Sequence, residues 1–284
     1  MAFNNSIALQ KLLAEALDKK LVAKAKTSGM EANAAGIRYN GGNKFQFGKI
    51  GFGINAPSAY NRNTGYAESS VSLTYEEKTF KWDLGDSFLI DAMDNDESGF
   101  LDSAVNILEA YQDELVVPDV DKKRLAEIVT ILKADQTLAA TNVVTYPQSN
   151  FLKGLRDSFK ISLTDTGLTE TDLVCYMARS AYYDLTNDSA VQKVINLSGS
   201  PIELNFNHKS VDGVEIIVVD DSIMGNEKYI VCDRKAPIAI IKHNVTRIVT
   251  PEENQTADAW RVNVRIYHTL EIKDNELPTV VVAE

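Results

Sequence analysis

Between Lys44 and Ile90 apolar residues recur at every second position, first in Phe45 and Phe47, then in Val71, Leu73 and Tyr75, and again in Phe80, Trp82 and Leu84. Successive side chains leave a strand on opposite faces, so this period is a strand signal. A polar stretch, Asn55 to Ser70, separates the halves and carries the turn formers Pro57, Asn61, Asn63 and Gly65. The whole segment predicts a long β-hairpin with an extended tip. That constrains everything around it. An isolated two-stranded ribbon is marginal in water, so the hairpin must lean on the rest of the chain or on another molecule.

The flanking elements have other periods. Ser6 to about Lys26 spaces Leu9, Leu12, Leu13, Ala16, Leu17 and Leu21 by three and four, with Lys19, Lys20, Lys24 and Lys26 towards its end. This predicts an amphipathic helix with basic residues placed to suit its dipole. Periodicity leaves open whether that helix packs on its own domain or on a partner. Thr27 to Asn43 reads as a linker rich in Gly, Ala and Asn. From Ser98 to about Val117, Leu101, Ala104, Val105, Leu108, Tyr111 and Leu115 form one stripe, and Pro118 is expected to break or kink that helix before a second pattern resumes through Leu125 and Leu132. Helices are expected near Phe151 to Phe159 and Arg179 to Leu185, with an apolar segment Leu173 to Ala178 between them. Glu203 to Asn207 and Val211 to Val219 read as a hairpin turning at Asp212 and Gly213, and strands follow near Ile238 to Lys242, Arg261 to Ile272 and Thr279 to Val282.

Composition narrows the function. Forty acidic residues against 29 basic ones give a net charge of −11, which argues against a general nucleic-acid coat with a cationic face. Apolar content of 44% allows a substantial core, in one large domain or two. Cys175 and Cys232 are too few for a disulfide framework or a structural zinc site, and fit a reducing compartment. No apolar run reaches the roughly 20 residues of a membrane helix, and the opening residues lack the basic and apolar regions of a secretory signal.

Motifs that invite chemistry are weak. Asp94, Asp96, Ser98, Gly99, Leu101 and Asp102 match places of a calcium-binding loop, but Val105 stands at the twelfth, where a bidentate carboxylate closes the oxygen cage. An acidic N-cap feeding a helix explains the same residues, so no stoichiometric calcium site is expected. Gly51, Gly53 and Ala56 satisfy a loose dinucleotide pattern, yet Pro57 and turn residues follow where a phosphate-binding helix should begin. His208, His243 and His268 each stand without a second ligand at metal spacing and read as structural or surface residues. Asp83, Asp86, Asp91 and Asp94 could supply a carboxylate pair, but nothing in the sequence brings two together. No residue pattern argues for an enzyme, a cofactor or a metal.

Two stretches are more specific. Tyr60, Arg62, Gly65 and Tyr66, followed by the aspartate-rich Ile90 to Ser98 and by Val116 to Asp121 at a helix end, resemble a recurring pattern in major capsid proteins of tailed bacteriophages. The tail, with Trp260, Arg265, Tyr267, His268 and Asn275, is similar to the ending of that family, and Val211 to Met224 and Ala236 to His243 fall in the expected order. The resemblance spans roughly residues 45 to 282 and departs at Asp119, Thr269 and Glu276.

What the resemblance implies is an α+β chain of the Hong Kong 97-like fold. Residues 1–44 are then an N-terminal arm, 45–90 the extended E-loop hairpin, 91–150 part of a peripheral (P) domain with its spine helix, 151–240 mainly the axial (A) domain, and 241–284 strands returning to the P domain. The implied function is structural: hexamers and pentamers of one chain closing an icosahedral shell around phage double-stranded DNA, assembled in the host cytoplasm and carried in the virion. The implied partners are the chain itself, a portal protein, a separate scaffolding protein and DNA held by weak non-specific contact, with no membrane. Subunit contacts are expected at Tyr60, Arg62, Tyr66, Trp82, Leu12 and Leu13. An encapsulin-like nanocompartment shell is the nearest alternative, then a calcium-binding adaptor, and last a hydrolase.

Overall fold

The computed structural model describes residues 25–34, 36–52, 62, 70–91, 110–147, 149–164, 166–188, 210–254 and 256–284. Their largest sheet has six strands in the order β5, β12, β9, β6, β8, β7: β5 (Val143–Val144), β6 (Leu173–Ala178), β7 (Ser210–Val211), β8 (Val214–Val219), β9 (Tyr229–Asp233) and β12 (Val281–Ala283). All of β6 is buried, which is why its sequence is a continuous apolar run without alternation. Cys175 opposes Val231, and Val174 opposes Cys232, so the pleat sets the two thiols on opposite faces of the sheet. Both are free and buried, and burial pushes the Cys232 thiol up to about 12. The turn expected at Asp212 and Gly213 joins β7 to β8, with both residues at positive φ (51° and 94°) as a two-residue hairpin of this hand requires. Glu203 to Asn207 lies outside the described residues.

Helix α1 (Val117–Ala134) buries Val117, Val120, Leu125, Ile128 and Leu132 at helical spacing, and its C-terminal half joins the core of the six-stranded sheet. The break expected at Pro118 does not occur. Residues 110–111 are already helical, Gln112–Val116 form a π-turn, and α1 continues directly from it. A proline inside a helix lacks an N–H and collides with the carbonyl four residues back; the wider π-turn just before it relieves both conflicts. Three further helices, α2 (Gln136–Asn142), α3 (Phe151–Leu163) and α4 (Arg179–Asn187), follow, and α3 and α4 pack on the sheet. The short α5 (Asp221–Met224) packs between α1 and β6 through Met224.

The period-two segment is not one hairpin. Strand β2 (Lys44–Phe52) pairs with β3 (Val71–Thr79), from Lys44 opposite Thr79 to Phe52 opposite Val71, and the short β1 (Arg38–Tyr39) borders β2. At Phe80 the chain leaves that sheet. Strand β4 (Trp82–Asp91) joins a second three-stranded sheet in the order β10, β11, β4, where β10 (Pro237–Val249) and β11 (Ala259–Ile272) form a long antiparallel ribbon. Alternation announces a strand but not its partner. Two further expectations change. Thr27 to Asn43 is no linker: Ser28–Ala34 is a 3-10 helix that buries Met30 and packs on β10. The last strands also part company, since β11 stays with β4 while β12 crosses into the six-stranded sheet between β5 and β9.

A buried polar clip fixes the start of the described chain to α1. Asp121 accepts hydrogen bonds from the Lys26 N–H (2.9 Å), the Thr27 N–H (3.1 Å) and Thr27 Oγ1 (2.6 Å). One turn on, the fully buried Arg124 donates to Thr27 Oγ1 (3.1 Å) and to Glu31 (2.7 Å). Ala25 and Lys26 are not helical, and the rest of the helix expected from Ser6 lies outside the described residues. Asp121→Ala leaves the Thr27 hydroxyl and two backbone N–H donors short of an acceptor, so denaturant unfolding should show a loss of about 2–3 kcal/mol. Asp121→Asn, which keeps one acceptor oxygen, should lose clearly less; equal losses would mean that shape rather than hydrogen bonding holds the clip.

Candidate subunit interface

The β2–β3 hairpin has a fixed root and a bare upper face. At the root Phe45, Phe47 and Phe80 are buried with Ile238 and Ile240 of β10. Ring centroids lie 5.2 Å apart for Phe45 and Phe47, 5.0 Å for Phe45 and Phe80, and 4.8 Å for Phe80 and Tyr267, in edge-on and tilted arrangements that aromatic quadrupoles favour. Charge reinforces the joint. Lys81 pairs with Glu127 of α1 (2.6 Å) and with the buried Glu271 of β11 (2.8 Å), and Lys78 of β3 reaches Glu271 at 3.9 Å. Burial works against the Lys81 charge, but the two carboxylates hold its ammonium above the usual range. The hairpin therefore enters the fold through a rigid aromatic and ionic socket.

Beyond the socket, Val71, Leu73 and Tyr75 share one face of β3 and are 64%, 57% and 40% exposed. The Arg38 guanidinium lies 5.1 Å over the Tyr75 ring, and the Leu73 and Tyr75 side chains lie beside Gly48 of β2. Tyr39 is also exposed. Lys44 and Glu77 pair at 2.5 Å, and hydrogen bonds from Lys44 and Gln46 hold the Glu77 carboxyl below its usual range. A ribbon that presents a row of uncovered apolar side chains, with polar residues along its flank, has the anatomy of a contact surface.

The residues expected at contacts fare differently. Arg62 is exposed in a turn beyond β2. Trp82 sits on β4, half-buried, with its indole 5.0 Å from the ring of His268, and packs within the subunit. Tyr60, Tyr66, Leu12 and Leu13 lie outside the described residues, as do His208 and the loop residues Asp94, Asp96, Ser98 and Asp102. Sequence reasoning missed the parity of Val71, Leu73 and Tyr75 as an exposed set, and missed Glu271 and Lys81 altogether. The available signal was a lone glutamate inside the apolar end of β11.

Chemistry is sparse elsewhere. Among the described residues no three His, Cys, Asp or Glu side chains come together to hold a metal ion, and no helix is long and apolar enough to cross a membrane. A cavity of about 330 Å³ beneath β4 and the π-turn contains the hydrogen-bonded pair Tyr111 and Asp86, and burial with that carboxylate raises the Tyr111 hydroxyl pKa. The phenol is held protonated rather than made reactive. His243 is exposed and His268 is fully buried.

No family model matches the sequence, and no curated protein does. Solved structures match its fold over most of its length. The mature capsid of bacteriophage PhiM1 is similar at a TM-score of 0.60 and 13% identity, covering 86% of this chain and 82% of that one. A Mycobacterium phage Che8 structure gives 0.54 and 12%, covering 86% and 85%. A virus-like particle from Pyrococcus furiosus gives 0.56 and 14%, covering 97% and 99%. The chain has the α+β Hong Kong 97-like fold that the sequence implied.

Two outcomes follow from this geometry. Burial, followed by the neighbouring Arg124 and Lys123 charges, pushes the His268 imidazole down to about 3 against an ordinary value of 6.5. Its neutral form stabilises the fold above pH 6.5, and that contribution is lost as pH falls towards 3. His268→Phe should flatten the stability profile in this window when melting is followed against pH; an unchanged slope would assign acid lability to other groups. Leu73→Asp, on the bare face, should leave the melting temperature of the isolated subunit almost unchanged and abolish self-association in light scattering. A large drop in melting temperature would place Leu73 in the core instead.

Proposed function

We propose that this chain is the major capsid protein of a tailed bacteriophage, a structural protein that assembles as hexamers and pentamers into an icosahedral shell around double-stranded DNA. The observation that carries the reading is the β2–β3 hairpin, socketed at its root by Phe45, Phe47, Phe80 and the Lys81–Glu271 pair and uncovered along Val71, Leu73 and Tyr75, on a Hong Kong 97-like fold. In this reading β2 and β3 are the E-loop, α1 is the spine helix of a P domain completed by β4, β10 and β11, and the six-stranded sheet with α3 and α4 is the A domain. Lys26 and Thr27, clipped to α1 by Asp121, anchor the N-terminal arm of this reading. Neighbouring copies cover the hairpin face, and Tyr60, Arg62 and Tyr66 near the tip and Leu12 and Leu13 in the arm extend the contacts. A negatively charged subunit suits a container that encloses DNA without gripping it, since tight binding opposes packaging and release. Portal and separate scaffolding proteins complete the assembly, which forms in the host cytoplasm and is carried in the virion.

A cellular nanocompartment is the second reading, favoured by the match to the Pyrococcus furiosus particle over nearly the full length of both chains. Contents separate the two, because a phage head holds DNA and a compartment holds protein cargo. Replacing residues 55–70 with a short Gly/Ser link tests what both share. Subunit melting should hold within a few degrees, because the pairing of β2 and β3 runs outward from the socket to Phe52 and Val71, while shells should no longer form. A subunit that unfolds would place the tip in a compact core, and shells that still form would show that the hairpin is not the contact.

A further inference from the structure

The ribbon of β10 and β11 is buried on both sides at its inner end, from Pro237 to Ile240 and from His268 to Ile272, and is covered on one side only farther out. Val262, Val264 and Ile266 of β11 face inward and are buried, whereas Arg261 and Arg265 alternate with them and point to the other side. Register places Arg247 opposite Asn263 and Val249 opposite Arg261, so Arg247 and Arg261 are diagonal neighbours on that outer face. Leu89 of β4 lies opposite Arg261 on the same face and is 61% exposed. Arg265 is neutralised by Asp83 through two hydrogen bonds of 2.8 and 2.5 Å. Arg247 has no ion pair among the described residues, and Arg261 meets only the neutral Ser87 Oγ at 3.0 Å.

The loop that closes the same ribbon has the opposite sign. Glu252, Glu253 and Asp258 are exposed, with no basic residue anywhere between Arg247 and Arg261. None of the three makes an ion pair among the described residues. The loop is built rather than slack. The Glu253 and Asn254 N–H groups each donate to the Thr250 carbonyl at 3.0 Å, Asn254 Nδ2 donates to the Ala259 carbonyl (2.9 Å), and Asn254 Oδ1 accepts from Thr256 Oγ1 (2.7 Å). An acidic tip and a basic face therefore sit a few residues apart on one rigid element without satisfying each other.

We infer that the acidic tip of one copy, through Glu252, Glu253 and Asp258, docks on the Arg247–Arg261 face of the next, with Leu89, Val245 and Val249 supplying the apolar area of the contact. The inference rests on the shell reading and names one of its contacts. Charge complementarity selects the partner. In a chain of net charge −11, copies repel one another unless positive and negative patches are segregated and meet. A tip-to-face contact is heterologous, so repeated copies form rings or continue into larger arrays, as a closed shell needs. Nucleic acid as the occupant would account for the two arginines but would leave the exposed Leu89 and the acidic tip without a role.

Charge reversal tests this in the full-length chain. Purified Arg247→Glu/Arg261→Glu and Glu252→Lys/Glu253→Lys variants should each melt close to the parent, since Arg247, Glu252 and Glu253 are exposed and Arg261, half-buried, makes no ion pair among the described residues. Each should form at least about tenfold fewer shells by sedimentation and negative-stain microscopy, because like charges then meet across every contact. The chain carrying all four substitutions should recover most of the parental yield, with the signs exchanged. Normal assembly of both double variants, or a four-substitution chain no better than either, overturns the contact while leaving the shell reading intact. So does an Arg247→Glu/Arg261→Glu variant that assembles normally but retains less nucleic acid. Failure of the parent chain to assemble under any condition overturns the shell reading itself, and the contact with it.

Discussion

A β-ribbon that runs out beyond the core of its subunit keeps only one face packed there, and the architecture of this chain follows from that constraint. The β10–β11 ribbon is the beam. At one end Ile238 and Ile240 floor the aromatic socket of the hairpin, and Leu270 and Ile272 reach the core of the six-stranded sheet. At the other end Val262 and Val264 lie under Phe88, Ile90 and Tyr111. Among the described residues the opposite face there has no cover. The β2–β3 hairpin repeats the condition, with a packed root and a bare row of Val71, Leu73 and Tyr75. Two uncovered ribbons in a subunit with a well-packed core are surfaces that make sense when several copies meet.

Positions that must stay rigid for such contacts are held by polar networks built around buried charges, Glu271 at the hairpin root and Asp121 with Arg124 on α1. Glu271 joins Lys78 and Lys81 beside the root to β11, and Lys81 continues to Glu127 on α1. Asp121 and Arg124 fix the start of the described chain to the same helix. Leaving a buried charge unpaired is costly, so each network is sharply specified in geometry. Helix α1 therefore receives the N-terminal segment, the hairpin root and the six-stranded core at once, and it sets their mutual angles.

Much of this was legible in the sequence because it is local. Alternation in Phe45 and Phe47 and in Val71 to Tyr75 marked strands, Asp212 and Gly213 marked a turn, and the all-apolar Leu173 to Ala178 marked a strand buried on both faces. What was not legible is which distant segments meet. Trp82 to Leu84 continue the same alternation as β3, yet β4 pairs with β11 because Phe80 turns into the aromatic socket. The tail reads as strands throughout, but only register shows β12 in the six-stranded sheet. Pro118 carries a local break signal that the π-turn before it overrides. The Glu271 and Asp121 networks join residues far apart in the chain, beyond the reach of any window of sequence. The family resemblance anticipated the fold through the order of its motifs, while the contact residues it implied fall largely outside the described residues.

The central claim, that this is a subunit which closes shells with copies of itself, is tested most directly by sedimentation of the purified full-length chain combined with electron microscopy of the fast-sedimenting fraction. The account predicts closed particles or capsomer rings of defined size, formed alone or with a co-expressed scaffolding protein. A chain that remains monomeric at every salt and protein concentration, with and without that partner, would contradict it.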